Sequence, residues 1–125
     1  MSFKYPMAEG QTQHAPPLSM FRHAGDLIFI SGHGAVNERG EFVGDSFEEQ
    51  FRETMERLAD TLRQAGTDFA QVVKVSSYVA DPADLPTYNR LYREYFSEPF
   101  PARTTITNCL PPGLLFEIEC IACVA

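Results

Sequence analysis

The sequence predicts an α+β fold in which two helices cover one face of a mixed β-sheet. Three observations lead to this prediction: an amphipathic helical segment after Ser46, a run rich in β-branched residues at 72–80, and an apolar run at 27–30. The predicted element order is β-β-(short β)-α-β-α-β-β, which is typical of a two-layer architecture with all helices on one side.

The first predicted elements form a β-hairpin. The triplet Ala24-Gly25-Asp26 has the composition of a turn, and it separates predicted strands at 19–23 and 27–31. Gly32-His33-Gly34 is expected to break the second strand.

Ser46 begins the clearest helix. Ser46 and Glu49 match a capping box, in which the hydroxyl and the carboxylate each accept a hydrogen bond from an otherwise free N–H. Gly66 fits the position just after the last helical turn. Apolar residues recur every three or four positions and share one face; they are Phe47, Phe51, Met55, Leu58, Leu62 and Ala65.

The strand predicted at 72–80 alternates between two faces. One face carries Val73, Val75, Ser77 and Val79, and the other carries Val72, Lys74, Ser76 and Tyr78.

A second helix is predicted after this strand, with Asp84 as its cap. Its buried face is expected to hold Leu85, Tyr88, Leu91, Tyr92 and Tyr95. Strands at 103–109 and 115–124 complete the sheet. Because the chain offers no further helix for the other face of the sheet, we expect an oligomer to cover it.

Composition limits the class of protein. The chain has 125 residues, of which 1–17 are expected to form a loose arm and 18–125 a single domain. We expect no membrane span, since no apolar run approaches the necessary length of about 18 residues, and no signal peptide at the start. Three cysteines, an odd number late in the chain, indicate free thiols in a cytoplasmic protein.

The net charge of −7 also restricts the partners. Nucleic acid is disfavoured, because binding to its phosphates requires a basic surface. A small anion is still compatible with this charge, because one arginine can reverse the local field of a pocket.

Arg103 and Glu117 are the strongest candidates for chemistry. A guanidinium binds a carboxylate through two parallel N–H bonds, and a salt bridge is the equally weighted alternative for Arg103. Glu117 and Glu119 share one face of the last strand, about 6 to 7 Å apart. That face is either simply solvated, the favoured interpretation from spacing alone, or it positions a water for reaction.

The remaining candidates are weaker. Backbone N–H groups near Ser31 and Gly32 could hold an anion, although a plain turn is the favoured interpretation, and His33 is expected on a surface loop. The sulfurs of Cys120 and Cys123 should lie on opposite faces of a strand, so no metal site is expected there. No nucleotide-binding fingerprint is present, and no cofactor is expected.

Several segments, in this order and at this spacing, resemble the RidA/YjgF/UK114 family of reactive-intermediate deaminases. The most specific are Pro101-Ala102-Arg103-Thr104-Thr105 and Glu117-Ile118-Glu119-Cys120-Ile121-Ala122. Others are Ile30-Ser31-Gly32, Ala65-Gly66, Val72-Val73-Lys74 with Tyr78 and Asp81, Tyr88-Asn89 with Tyr92 and Tyr95-Phe96, and Leu110-Pro111.

The resemblance implies a chorismate-mutase-like α+β fold and a homotrimer with ligand sites at the subunit interfaces. It implies hydrolysis of 2-aminoacrylate and related enamine or imine acids to 2-keto acids and ammonia, without metal or cofactor. Arg103 would hold the substrate carboxylate and Glu117 would orient the attacking water, while Glu119 would be structural. The residues that would line or support the carboxylate site are Ser31, Gly32, His33, Asn89 and Thr105.

The chain also departs from the family pattern. Leu18 stands where the family has a tyrosine, His33 where it has glutamine and Thr105 where it has cysteine, and the segment between Arg103 and Leu110 is one residue shorter. These differences favour a changed substrate range, such as larger apolar imino acids or 2-aminomuconate-like acids. They also leave open a protein that binds 2-keto acids for regulation without catalysis. A ribonuclease, the label often attached to this family, is disfavoured by the charge of −7.

Overall fold

The computed structural model of the chain describes residues 16–125. Its strands are β1 (Phe21–Ala24), β2 (Leu27–Gly34), β3 (Val72–Val79), β4 (Ala102–Thr107) and β5 (Phe116–Cys123), and its helices are α1 (Phe47–Ala65) and α2 (Leu85–Tyr92). This order agrees with the prediction, with the short strand reduced to one bridge between Val36 and Phe42. The predicted N-terminal arm falls almost entirely outside the described residues.

The five strands form one mixed sheet in the order β1-β2-β5-β3-β4. The β3–β4 pair is parallel, since α2 lies between these strands in the chain, and the other pairs are antiparallel. Both helices pack against the same face, whose side chains form the core with them. The opposite face bears large exposed apolar side chains, including Leu27, Phe29 and Ile106.

Helix α1 begins and ends as predicted. The Ser46 hydroxyl accepts from the N–H of Glu49 at 3.1 Å, and Gly66 ends the helix in the left-handed conformation. The Glu49 carboxylate accepts from the N–H of Asp45 rather than that of Ser46, one residue earlier than in a standard capping box. All six predicted apolar positions of this helix are buried.

The predicted alternation of β3 is wrong at its start. Val73 was expected to share the face of Val75, but Val73 is 45% exposed and Val72 is buried instead. The cause is a register shift against β5 between Val72 and Lys74, which places an extra residue in β3.

Two further boundaries differ from the prediction. Strand β2 does not break at Gly32 but continues to Gly34, with a register shift between Ile30 and His33. Asp84 makes no side-chain capping bond. Instead the Asp81 carboxylate accepts from the N–H of Ala83 and starts a 3₁₀ turn that leads into α2.

Candidate functional site

Arg103 lies on the helix-covered face of β4. Its Cα pairs with that of Val75, whose side chain is fully buried. The guanidinium carbon is 4.9 Å from the ring centroid of Tyr88 and 4.8 Å from that of Tyr92. These two rings are one helical turn apart on α2, and their faces attract the cation. Arg103 has no ion pair with any residue in the 16–125 range, so the salt-bridge alternative is not realised there.

The Arg103 cleft is a cavity of about 240 Å³. It is lined by Asn89, Tyr92, Arg93, Phe100, Pro101 and Arg103. Because the guanidinium is uncommitted, its N–H groups are available for a planar anion such as a carboxylate. Thr105 follows Arg103 by two residues on the same face, and its hydroxyl is buried without a partner among the described residues.

Glu117 lies on the opposite face of the sheet, in a cavity of about 840 Å³ that we call the Glu117 cleft. Its Oε2 is 2.5 Å from the point where a Cβ on Gly32 would lie, so a side chain there would displace the carboxylate. Burial raises the pKa of Glu117, and the negative charge of Glu119 adds to the rise. A carboxylate with a raised pKa accepts a proton more readily near neutral pH.

The neighbouring carboxylate differs in its environment. Glu119 is exposed and accepts a hydrogen bond from the Tyr78 hydroxyl at 3.0 Å. Its hydrogen-bonding capacity is therefore partly used in holding β3 to β5. Of the two carboxylates, Glu117 is the one partly withdrawn from water inside a cleft.

His33 is buried, at 4% exposure, and the expectation of a surface loop histidine is wrong. The register shift between Ile30 and His33 changes the alternation of β2, so the imidazole turns toward α1. Its Nδ1 is 2.7 Å from the Ser31 carbonyl oxygen and its Nε2 is 2.7 Å from Thr61 Oγ1. Burial lowers the pKa of His33, against the raising effect of the Ser31 bond, so the ring is neutral at pH 7.

Ser31 holds the segment before β1 in place. Its hydroxyl donates to the Ser19 carbonyl, and its N–H donates to the Met20 carbonyl at 3.0 Å. Leu18 and Met20, at 59% and 48% exposure, thereby become part of the wall of the Glu117 cleft. Ser31 itself lines neither that cleft nor the Arg103 cleft.

Arg103 and Glu117 are not brought together within one subunit. They follow each other on consecutive strands of the chain, but β3 lies between β4 and β5 in the sheet. Two strand spacings, about 10 Å, separate β4 from β5, Glu117 lies three residues along β5 from the residue level with Arg103, and the two side chains leave from opposite faces. A substrate of a few carbons cannot contact both residues of the same copy.

Sequence reasoning missed the platform under Arg103. Tyr88 and Tyr92 were assigned only to the buried face of α2, where they do lie. The available signal was that Tyr88 and Tyr92 are four residues apart, with Asn89 between them. It became informative only once the position of β4 beside α2 was known.

Residues 16–125 contain no group of three or more His, Cys, Asp and Glu side chains that could hold a metal ion. No helix in this range is long and apolar enough to cross a membrane. Cys109, Cys120 and Cys123 are all free thiols.

Comparisons with known proteins give one family. The family model described as Endoribonuclease L-PSP matches residues 12–124. Reactive Intermediate Deaminase A, chloroplastic, of Arabidopsis thaliana is 39% identical over 117 residues, covering 89% of this chain and 63% of that protein. This chain therefore spans less than two thirds of the plant protein.

Two further comparisons point to the same family. The 2-iminobutanoate/2-iminopropanoate deaminase of Homo sapiens is 36% identical over 97 residues, which cover 76% of this chain and 71% of the human protein. The crystal structure of YEO7_yeast superimposes with a TM-score of 0.81 at 28% identity, over 89% of this chain and 90% of that one. The chain belongs to the RidA/YjgF/UK114 family, whose family model carries the description endoribonuclease L-PSP.

Proposed function

We propose that the protein hydrolyses enamine and imine acids related to 2-aminoacrylate to 2-keto acids and ammonia, with no metal or cofactor. The observation that carries the proposal is the Arg103 guanidinium, which rests on two tyrosine rings, lacks an ion pair among the described residues and faces a cleft. The names of the Arabidopsis and human relatives support deaminase chemistry.

In this proposal Arg103 holds the substrate carboxylate, with backbone N–H groups at Gly32 and Thr105 as further donors. Asn89 lines the same cleft as Arg103, and Ser31 and His33 support the segment around Gly32. An imine carbon is already electrophilic, so the protein mainly has to orient the substrate and a water.

Glu117 orients that water and takes one of its protons as the oxygen bonds to the imine carbon. Glu117 gives that proton to the imine nitrogen, so the tetrahedral carbon carries a hydroxyl and an amino group. Glu117 then moves the hydroxyl proton to the amino nitrogen as the C–N bond breaks and the C=O bond forms, which releases ammonia and the 2-keto acid. The raised pKa of Glu117 suits both directions of this transfer.

We propose that the complete site lies between subunits of a homotrimer. Arg103 and Glu117 leave opposite faces of one sheet, so a site that uses both must combine two copies. The exposed apolar side chains Leu27, Phe29 and Ile106 on the face without helices support such an assembly, because contact with another copy would bury them.

The first test measures loss of imines generated in situ from several amino acids. Arg103→Ala should lower kcat/KM about a hundredfold, because the substrate carboxylate loses charge-assisted hydrogen bonds worth about 1.5 to 3 kcal/mol. Arg103→Lys should be intermediate, since lysine keeps the charge but not the two parallel N–H groups. Arg63→Ala removes an exposed arginine of α1 and serves as the matched control. Equal rates for wild type and Arg103→Ala across the panel would refute the proposal.

The second test addresses the shared site. When Arg103→Ala and Glu117→Gln subunits are co-expressed, random mixing leaves about a quarter of the interfaces with both intact residues. Mixed assemblies should therefore regain activity that neither variant has alone. No recovery in assemblies proven to be mixed would exclude a site built from two copies.

The alternative of a regulatory protein that binds 2-keto acids predicts binding of 2-oxobutyrate in calorimetry without turnover of any imine. Leu18, in place of a hydroxyl-bearing residue at the cleft wall, is the observation that favours it.

We also propose a reducing compartment such as the cytoplasm, because the three cysteines are an odd number and form no disulfide with one another. The Arabidopsis relative carries a chloroplast designation, so imaging of the tagged protein in its host is the direct measurement.

A further inference from the structure

The imidazole of His33 bridges the Ser31–Gly32 peptide and helix α1. Its Nδ1 contacts the Ser31 carbonyl oxygen at 2.7 Å, and its Nε2 contacts Thr61 Oγ1 at the same distance. Both His33 and Thr61 are buried. The contact falls in the irregular stretch between Ile30 and His33, where β2 lacks its regular pairing with β5.

The proton positions follow from these partners. A carbonyl oxygen can only accept a hydrogen bond, so Nδ1 carries the proton. In the neutral ring Nε2 is then an acceptor, and the Thr61 hydroxyl donates to it. The charged groups of the cleft that His33 lines are Arg57 on α1, which disfavours protonation of the ring, and the carboxylates of Glu38, Asp60 and Glu117. The neutral imidazole is therefore held in one tautomer.

This bond also determines the direction of the next N–H group. The Ser31 carbonyl and the Gly32 N–H belong to one planar trans peptide, so they point in opposite directions. Fixing the carbonyl toward His33 fixes the N–H away from it. Gly32 lies against the Glu117 carboxylate, with no room for a side chain between them.

We propose that His33 is a positioning residue, which sets the direction of the Gly32 N–H at the Glu117 cleft through its bond to the Ser31 carbonyl. The inference rests on the proposed function, in which that N–H is a donor to the substrate carboxylate. The histidine does not touch substrate; it acts through one peptide plane. Without the clamp, that plane can rotate, because the local pairing with β5 is absent.

The experiment compares two replacements of His33 in the full-length protein. In His33→Asn the amide nitrogen occupies nearly the position of Nδ1 and can still donate to Ser31. In His33→Leu no donor remains. Both lose the bond to Thr61, and Thr61→Val reports that loss alone. Thermal unfolding of all variants accounts for the cost of changing a buried residue.

The first readouts are the 2-oxobutyrate affinity by calorimetry and kcat and KM for the imines. The third is the NMR amide resonance of Gly32 in protein labelled with ¹⁵N-glycine. That resonance is identified as the one missing from the spectrum of Gly32→Ala. We expect His33→Leu to weaken 2-oxobutyrate binding and raise KM about tenfold or more, with a displaced Gly32 resonance. His33→Asn should stay within about threefold of wild type. Equal affinities and equal Gly32 shifts in the Asn and Leu variants would overturn the role of His33. Failure of the proposed function is separate, because wild type would then show no imine turnover that Arg103→Ala lowers, whereas the comparison of 2-oxobutyrate affinities and Gly32 shifts between the His33 variants needs no turnover.

Discussion

Gly32→Ala is a steric test of the Glu117 carboxylate. Gly32 does not have a positive φ, so alanine is compatible with its backbone. The new Cβ would be 2.5 Å from Glu117 Oε2, and the carboxylate has to withdraw until the contact reaches at least the 3.4 Å of ordinary van der Waals contact. A displacement of about 1 Å at a reacting group can lower the rate about a hundredfold.

The same substitution should change stability little. Oε2 is the end of a flexible side chain, and replacing glycine reduces the entropy of the unfolded chain, so the free energy of unfolding should stay within about 1 kcal/mol of wild type. The assay is imine hydrolysis beside chemical denaturation. Gly34→Ala is the control on the same strand, because its methyl would meet Leu114 at 3.3 Å rather than Glu117. Wild-type kcat/KM in Gly32→Ala would refute a catalytic position for this carboxylate.

Three other predictions concern the two clefts. Tyr88→Phe should lower the free energy of unfolding by about 1 to 2 kcal/mol, because it breaks a buried 2.7 Å hydrogen bond to Ser77. Tyr92→Phe removes a hydroxyl that has no partner among the described residues, so it should leave the free energy of unfolding unchanged or raise it. Chemical denaturation of both variants measures the difference. The activity should fall as pH drops through the pKa of Glu117, which lies above the ordinary 4.5. The fold should gain stability over the same pH range, because the partly buried carboxyl becomes neutral. Glu117→Gln should abolish both effects, as read from pH profiles of the rate and of unfolding. Leu18→Asn should reduce the preference for a leucine-derived over an alanine-derived imine about tenfold, read from the two kcat/KM values, and an unchanged ratio would exclude Leu18 from the substrate side-chain pocket.

Local signals in the sequence were sufficient for the elements but not for their relations. Helix α1 was predictable because Ser46, Gly66 and the apolar spacing act within the segment itself. Arg103 alone was an even choice between a salt bridge and a ligand anchor, and the orientation of Glu117 on the next strand together with the family resemblance favoured the second. Its tyrosine platform depends on α2 lying beside β4, a contact between separate elements that no local pattern contains.

The irregular stretch of β2 also explains why the residues near Gly32 were hard to interpret from sequence. In a regular strand, successive residues face opposite sides of the sheet. The two glycines of Gly32-His33-Gly34 are more typical of the end of a strand than of its interior. The register shift instead allows His33 to turn into the helix-covered side while Gly32 lies against Glu117 in the cleft. Because of this bulge, two consecutive residues face different surroundings: the His33 side chain is buried against α1, and Gly32 lies at the Glu117 cleft. The stretch where the period of two fails is therefore where the proposed site takes its backbone donor, and a deletion of one residue that restored regular pairing there should preserve the fold while it moves Gly32 away from Glu117.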